Sequence, residues 1–171
     1  MTYNIHPLLV HFPIALLLLY SLLRILPLRR WMPETSALHA RLIVLIGGVL
    51  GAFASSATGE SAEHLVHPTR SIVEMHSFFA ATSTWIYGLL LVGEVLRLAH
   101  TWLVSNYSQY SLVKVLLCIE RILSYPLVVG VLVVLGIVAI SVTGLLGGVL
   151  VYGTTADPLA PVVLKLLGLV Y

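Results

Sequence analysis

Long apolar runs separated by short polar connections dominate the chain. Four of these runs reach the roughly 20 residues that a helix needs to cross about 30 Å of hydrocarbon. They cover residues 7–28, 37–58, 72–98 and 126–152. The first run has no basic leading segment and no small-residue cleavage site, so we expect it to be retained as a span. The pattern predicts an all-α integral membrane protein, a four-transmembrane-helix bundle in a single domain over residues 1–171.

A fifth segment, residues 101–125, is apolar on only part of its surface. Lys114, Cys118 and Arg121 recur at helical spacing on one stripe, with leucine, valine and isoleucine around them. This pattern favours an amphipathic helix at the membrane interface between the third and fourth spans. The alternative is an extension of the fourth span, broken at the proline that begins that span. The apolar residues 162–171 are too few to cross a membrane, and we expect them to lie against the outer interface.

Composition agrees with a membrane class and excludes several others. Hydrophobic residues make up 59% of the chain and charged residues 9%, whereas soluble domains have about 25% charged residues. A net charge of +2 is too small for binding along nucleic-acid phosphates. The single cysteine, Cys118, excludes a disulfide framework and, within one chain, a zinc cluster or redox dithiol. No phosphate loop or dinucleotide fingerprint occurs, which favours an electron-transfer subunit over a free-standing enzyme.

Basic residues are concentrated on one side of the predicted spans. Seven of the nine Lys and Arg residues flank the first and third connections, and only Arg70 and Lys165 fall on the other side. The positive-inside rule makes the first side cytoplasmic. We therefore expect a multi-pass protein of a bacterial inner (cytoplasmic) membrane with both termini periplasmic. On the cytoplasmic side, Glu94 lies three residues before Arg97, a spacing that predicts an ion pair on the helix surface.

Histidines gather at the opposite, outer side. Those at the outer ends of the first three spans are His6, His11, His64, His67 and His76. Ionisable residues within spans mark functional sites, and the helical rise places His11 and His76 at a matching depth, about 6 to 8 Å inside their spans. These spans are diagonal partners in an up-down bundle, separated by roughly 12 to 14 Å. Two imidazoles and an iron would bridge that gap. We therefore predict a haem b held by His11 and His76, with His6 and His64 as a second pair for a second haem.

Small residues on the second and fourth spans offer room for a flat macrocycle. Ser55 and Gly59 continue a four-residue repeat of small residues, and Gly144 and Gly148 lie at the outer end of the fourth span. Small residues on one helical face are first of all a packing device that lets helices approach closely, and the functional alternative is that these four form a slot for the haem. Arg70 would bind haem propionates. Alternatively, it belongs to an ion-pair network at the membrane rim.

One N-terminal motif resembles a family signature. Residues 5–16, I-H-P-L-L-V-H-F-P-I-A-L, are similar to the H-P-x-x-V-H-F-P-I-A signature of a bacterial four-helix membrane-protein family known mainly as a domain of unknown function. The similarity continues through residues 58–63 and His76, and ends in G-L-L-G-G-V-L-V-Y at residues 144–152. The resemblance implies b-type haem binding and relatives that occur alongside cytochrome c modules. Residues 101–125 depart from the compact family pattern, and we interpret them as a docking surface for a larger complex.

These observations lead to one leading hypothesis and two alternatives. The leading hypothesis is a membrane b-type cytochrome subunit that carries electrons near the periplasmic face through bis-His haem. It would lie in the lipid bilayer with a redox partner, such as a cytochrome c or a quinone, or within a larger membrane complex. In the first alternative, the histidine cluster binds or transports Cu or Zn ions. In the second, the chain is a structural or pigment-binding subunit of a respiratory or photosynthetic complex, and the histidines bind a magnesium macrocycle.

Overall fold

Helices make up nearly all of the structure. The computed structural model describes residues 5–66, 69–155 and 157–169, and the side chains of residues 29 and 60–66 lie outside this description. The helices are α1 (His6–Ile25), α2 (Glu34–Val66), α3 (Arg70–Tyr107), α4 (Ser111–Leu123), α5 (Pro126–Tyr152) and α6 (Ala160–Leu166). A 3-10 turn at Leu28–Arg30 joins α1 to α2. No strand occurs in the described ranges, and the predicted all-α class is confirmed.

Four helices, α1, α2, α3 and α5, are long and apolar enough to cross a membrane. Helices α2, α3 and α5 each contain a predicted span, whereas α1 ends at Ile25, three residues before the predicted end of the first span. The 20 residues of α1 extend about 30 Å, and the 38 residues of α3 extend about 57 Å. Helix α3 continues past the predicted end of its span at residue 98 because no proline or glycine interrupts the sequence before Tyr107. It is therefore longer than the hydrocarbon layer is thick.

The spanning helices pack in a ring. Helix α1 packs against α2 and α5, and α3 packs against the same two helices. Helices α1 and α3 are therefore diagonal partners, as the sequence predicts. The bundle core is formed mainly by Leu17, Tyr20, Leu45, Val49, Tyr87, Leu90, Val129, Val133 and Ile140. Lipid tails are as apolar as these side chains, so helix association depends on close fit more than on the hydrophobic effect.

Two short helices accompany the four spans. Helix α4 packs mainly against α3 and buries Val113, while Lys114, Cys118 and Arg121 are exposed. Residues 124–125 separate it from α5, so α4 is a helix of its own and not an extension of the fourth span. Its location at the membrane interface stays a prediction. Helix α6 packs on α3 and α5 through a small apolar cluster.

Candidate functional site

One end of the bundle carries the predicted imidazoles, and we call it the histidine end. Here α1 and α3 begin and α2 and α5 end. The described side chains at this end include those of His6, His11 and His76. The side chain of His64 and all of His67 lie outside the described residues, so the predicted His6–His64 pair stays a prediction.

The ring of His6 faces the interior of the bundle. His6 shares a helical face with the buried Pro13 and Leu17, and its Nδ1 lies 3.0 Å from Thr58 Oγ1 on α2. The backbone carbonyl of Ser55 also accepts from this ring. The Thr58 hydroxyl donates its proton to that same carbonyl at 3.0 Å, an arrangement in which Thr58 Oγ1 can accept from His6 Nδ1. A neutral ring with a proton on Nδ1 carries its lone pair on Nε2.

His76 faces the interior from α3 and lies against α5. Its Nδ1 donates to the backbone carbonyl of Thr143 at 3.0 Å. A carbonyl only accepts, so the proton is on Nδ1 and the lone pair of the neutral ring is on Nε2. Gly147 makes room for the ring, because a Cβ at this position would lie 3.2 Å from His76 Cε1. His76 is close enough to His6 for the two imidazoles to interact electrostatically.

His11 lies on the other side of α1. Its side chain is exposed, as are those of Leu8 and Phe12, and its Nδ1 donates to the carbonyl of Pro7 in its own helix. The structure therefore does not bring His11 and His76 together. The depth of a side chain in the membrane depends on its position along the helix axis, whereas the direction in which it points depends on its rotation about that axis. The five residues from His6 to His11 turn an α-helix by about 140°, so the two rings point in different directions. The prediction of a His11–His76 pair used the depth of the two residues and did not consider the direction in which the His11 side chain points.

The predicted macrocycle slot is partly filled by an imidazole. A Cβ at Gly59 would lie 3.6 Å from His6 Cε1, whereas a Cβ at Gly148 would meet nothing within 4 Å. Gly144 lies against an isoleucine of α1. Ser55 is buried, and its Oγ has no hydrogen-bond partner among the described residues. The open space at this end therefore lies beside Gly148 rather than Gly59.

Arg70 lies at the rim of the histidine end. Its side chain is 90% exposed, and its Nε donates to Glu74 Oε1 at 2.9 Å, one helical turn away. This contact is the rim ion pair that the sequence allowed as an alternative. Binding of haem propionates by Arg70 stays a prediction.

Haem sites and metal-ion sites differ in the number of protein ligands that they need. A bis-His haem would need two histidines from the protein, whereas Cu and Zn sites use three or four protein ligands. Across the described part of the chain, no group of three or more His, Cys, Asp or Glu side chains could hold a metal ion. A third ligand for Cu or Zn would have to come from a side chain such as His64, which lies outside the description.

Buried charges lie at the opposite end of the bundle, which we call the arginine end. Here α1 and α3 end and α2 and α5 begin. Glu94 is 3% exposed, and its Oε1 accepts from Arg41 Nε at 3.1 Å and lies 3.4 Å from Arg24 Nη1. Glu34 accepts from Arg41 at 3.2 Å and from Arg97 at 2.9 Å. Glu94 thus pairs across helices, and the predicted surface pair with Arg97 is wrong. The sequence did contain a signal for this pairing: Glu94 is a charged residue inside an apolar run, and charged residues within spans usually pair with one another.

The second oxygen of Glu94 has no protein partner in the described ranges. Oε2 is buried without a hydrogen-bond partner there. A cavity of about 10 Å³ adjoins Glu94, which is close to the volume that one water molecule needs. A water at this position would complete the hydrogen bonding of the carboxylate.

Comparison with known families places the chain among membrane proteins. Residues 2–157 match the model of a family described as "Predicted membrane protein (DUF2231)". The chain belongs to the DUF2231 family. No curated protein and no solved structure matches it. The match spans all four membrane helices of this DUF2231 protein, both the histidine end and the arginine end, and leaves α6 outside. The predicted resemblance to a membrane family of unknown function is confirmed.

Proposed function

We propose that this DUF2231 protein is a membrane b-type cytochrome subunit that carries electrons through a bis-His haem near the periplasmic face. In this proposal His6 and His76 would hold the haem iron, and His11 would not. The observation that carries the proposal is the convergence of two inward-facing imidazoles from the diagonal helices α1 and α3.

The orientation of both rings supports ligation. Histidines that bind a metal usually donate their other ring N–H to a carbonyl or another acceptor, which fixes the tautomer and the direction of the ring. Thr58 Oγ1 takes this role for His6, and the Thr143 carbonyl takes it for His76. Each contact comes from a neighbouring helix, so the bundle itself sets the direction of the two rings.

The surroundings of the rings fit a bound group. The buried Ser55 Oγ, which has no partner in the described part of the chain, lies one turn before Thr58 on α2. Gly148 leaves open space on α5. A bound haem would supply reversible one-electron transfer. The chain's own residues would hold its iron, orient both ligands and exclude water from the site.

The place of the imidazoles suggests the partner. They lie at the end of the bundle that the positive-inside rule assigns to the periplasm. A cytochrome c or a quinone would exchange electrons with a cofactor held there. A second haem would need His64 as a ligand.

An absorption spectrum of the purified, chemically reduced protein tests the proposal. We expect an α band in the b-type region. A folded protein purified from haem-replete cells without this band would contradict the cytochrome assignment. Metal analysis of the haem-free protein would then test the Cu or Zn alternative, and pigment extraction would test the magnesium macrocycle.

A further inference from the structure

A large cavity lies at the arginine end, away from the imidazoles. Its volume is about 860 Å³, which is in the range of sites that hold whole small molecules. The wall is formed by α1, the turn after it, α2, α3, the end of α4 and the first turns of α5. The charged residues in the wall are Arg24, Arg30, Arg41, Arg97, Glu34 and Glu120.

The charges in the wall do not balance. Among the described side chains of the wall there are four arginines and two glutamates, and adding Glu94, which pairs with Arg24 and Arg41, still leaves an excess of one positive charge. Each guanidinium has five N–H donors, and the carboxylates accept only some of them. Arginine binds phosphate through paired N–H groups, and the attraction is stronger in a region of low dielectric constant than in water. The cavity therefore favours a phosphate-bearing anion.

The apolar part of the cavity indicates what the phosphate is attached to. Gly130 and Val134 of α5 and Ile25 of α1 line the cavity and are also exposed on the outside of the bundle. The cavity thus opens sideways, along a helix surface that lies against lipid. Val134 is eight residues from the start of α5, or about 12 Å along the helix axis. An inorganic phosphate would leave this apolar part empty, whereas a lipid would fill it.

We propose that this cavity binds an anionic phospholipid, with its headgroup phosphate between Arg24 and Arg97 and an acyl chain along Gly130 and Val134. Basic pockets between membrane helices on the cytoplasmic side bind anionic headgroups in this way. The site is independent of the proposed haem at the histidine end. It gives this end of the bundle a specific lipid ligand.

Lipid binding by the purified full chain tests the proposal. The unfolding temperature is measured in detergent as phosphatidylglycerol, phosphatidylcholine or inorganic phosphate is added. We expect stabilisation by phosphatidylglycerol only. Arg24→Gln and Arg97→Gln should each weaken its apparent affinity about tenfold, because a hydrogen bond to a charged group contributes on that order. The matched control is Arg70→Gln, at the opposite end, which should leave the affinity unchanged.

A second pair of variants leaves every charge in place. Gly130→Trp should fill the apolar part of the cavity and abolish phosphatidylglycerol binding, because a Cβ at Gly130 meets nothing within 4 Å and the indole has room to enter. The control is Gly88→Trp on α3, where an added Cβ also meets nothing within 4 Å but the position does not line the cavity. This variant should bind phosphatidylglycerol as the parent chain does. Equal stabilisation by phosphatidylcholine, equal stabilisation by inorganic phosphate, or unchanged binding by Gly130→Trp would each overturn the proposal.

Discussion

Polar side chains inside this bundle are held by partners on neighbouring helices. Tyr87 on α3 bonds to the Ser21 hydroxyl on α1 at 2.8 Å, His76 on α3 donates to α5, and Arg41 on α2 donates to Glu94 on α3. Water does not reach the middle of a bilayer, so each polar group must find its partner in the protein. These three bonds join different helices and so fix how those helices are rotated relative to one another.

The buried charge at Glu94 leads to a stability prediction. Glu94→Leu removes the acceptor of Arg41 Nε and leaves Glu34 as the remaining carboxylate partner of this guanidinium, whose side chain is 5% exposed. Removing one member of a buried ion pair costs about 3 to 5 kcal/mol. We expect that loss in the free energy of unfolding, measured by titration with sodium dodecyl sulfate in mixed micelles.

The control for this measurement is a pair at the surface. Glu74→Leu breaks an ion pair whose side chains are 90% and 64% exposed, and such pairs contribute at most about 1 kcal/mol. Similar losses for the two variants would show that the Glu94 network does not stabilise the fold.

The contacts of individual side chains were harder to predict from the sequence than the positions of the spans. The sequence indicated that histidines collect at one end, but a span is apolar nearly all round, so its pattern does not show which face points inward. His6 and His11 therefore could not be told apart by hydrophobic phase. Glu94 was given a local partner because Arg97 is three residues away, and its partners in space, Arg24 and Arg41, are distant in sequence.

At the scale of whole helices, α3 and α5 pack closely where Tyr87 of α3 lies against Gly136 of α5. A Cβ at Gly136 would lie 3.0 Å from Tyr87 Cζ. Gly136→Leu should therefore reduce the free energy of unfolding by about 1 to 3 kcal/mol, the usual cost of overpacking. Unfolding in mixed micelles measures this loss.

The control helix position is Gly88 on α3, where an added Cβ meets nothing within 4 Å. Gly88→Leu should leave the stability within about 0.5 kcal/mol of the parent chain. If Gly136→Leu is tolerated as well as Gly88→Leu, the close contact with Tyr87 is not a packing constraint.

The place of the spans could be predicted, and so could both ends of α5, but the C-terminal ends of α1, α2 and α3 could not. A run of about 20 apolar residues is a strong signal of a span, and the prolines at the starts of α1 and α5 agree with it. Helix α3 runs on through polar residues because no proline or glycine stops it before Tyr107, and the side chains of Ser105 and Asn106 donate to carbonyls one turn earlier. Hydropathy falls where the membrane is expected to end, whereas a helix ends only where its hydrogen bonds stop.

At the scale of the whole molecule, the two ends of the bundle carry different chemistry. Imidazoles with oriented rings lie at one end, and a positively charged cavity with a buried ion-pair network lies at the other. The asymmetry follows from the sequence, in which basic residues flank two connections on the same side. By the positive-inside rule, this charge bias predicts which end faces the cytoplasm.

The single cysteine allows a direct test of this orientation. Cys118 is exposed on α4, beside the arginine end. A maleimide that does not cross membranes should label it in inside-out vesicles and not in intact spheroplasts. Permeabilised spheroplasts serve as the control for reactivity. Labelling from the outside of intact spheroplasts would reverse the proposed topology.

The central claim is that His6 and His76, and not His11, hold a haem. The most direct measurement is the haem content per chain of the purified parent protein and of His6→Ala, His76→Ala and His11→Ala, expressed with the same haem supply. The account predicts that the first two variants lose the haem and that His11→Ala retains it, because the exposed His11 ring is held by its own helix. Loss of haem in His11→Ala with retention in His6→Ala would contradict the account, as would a parent protein that carries none.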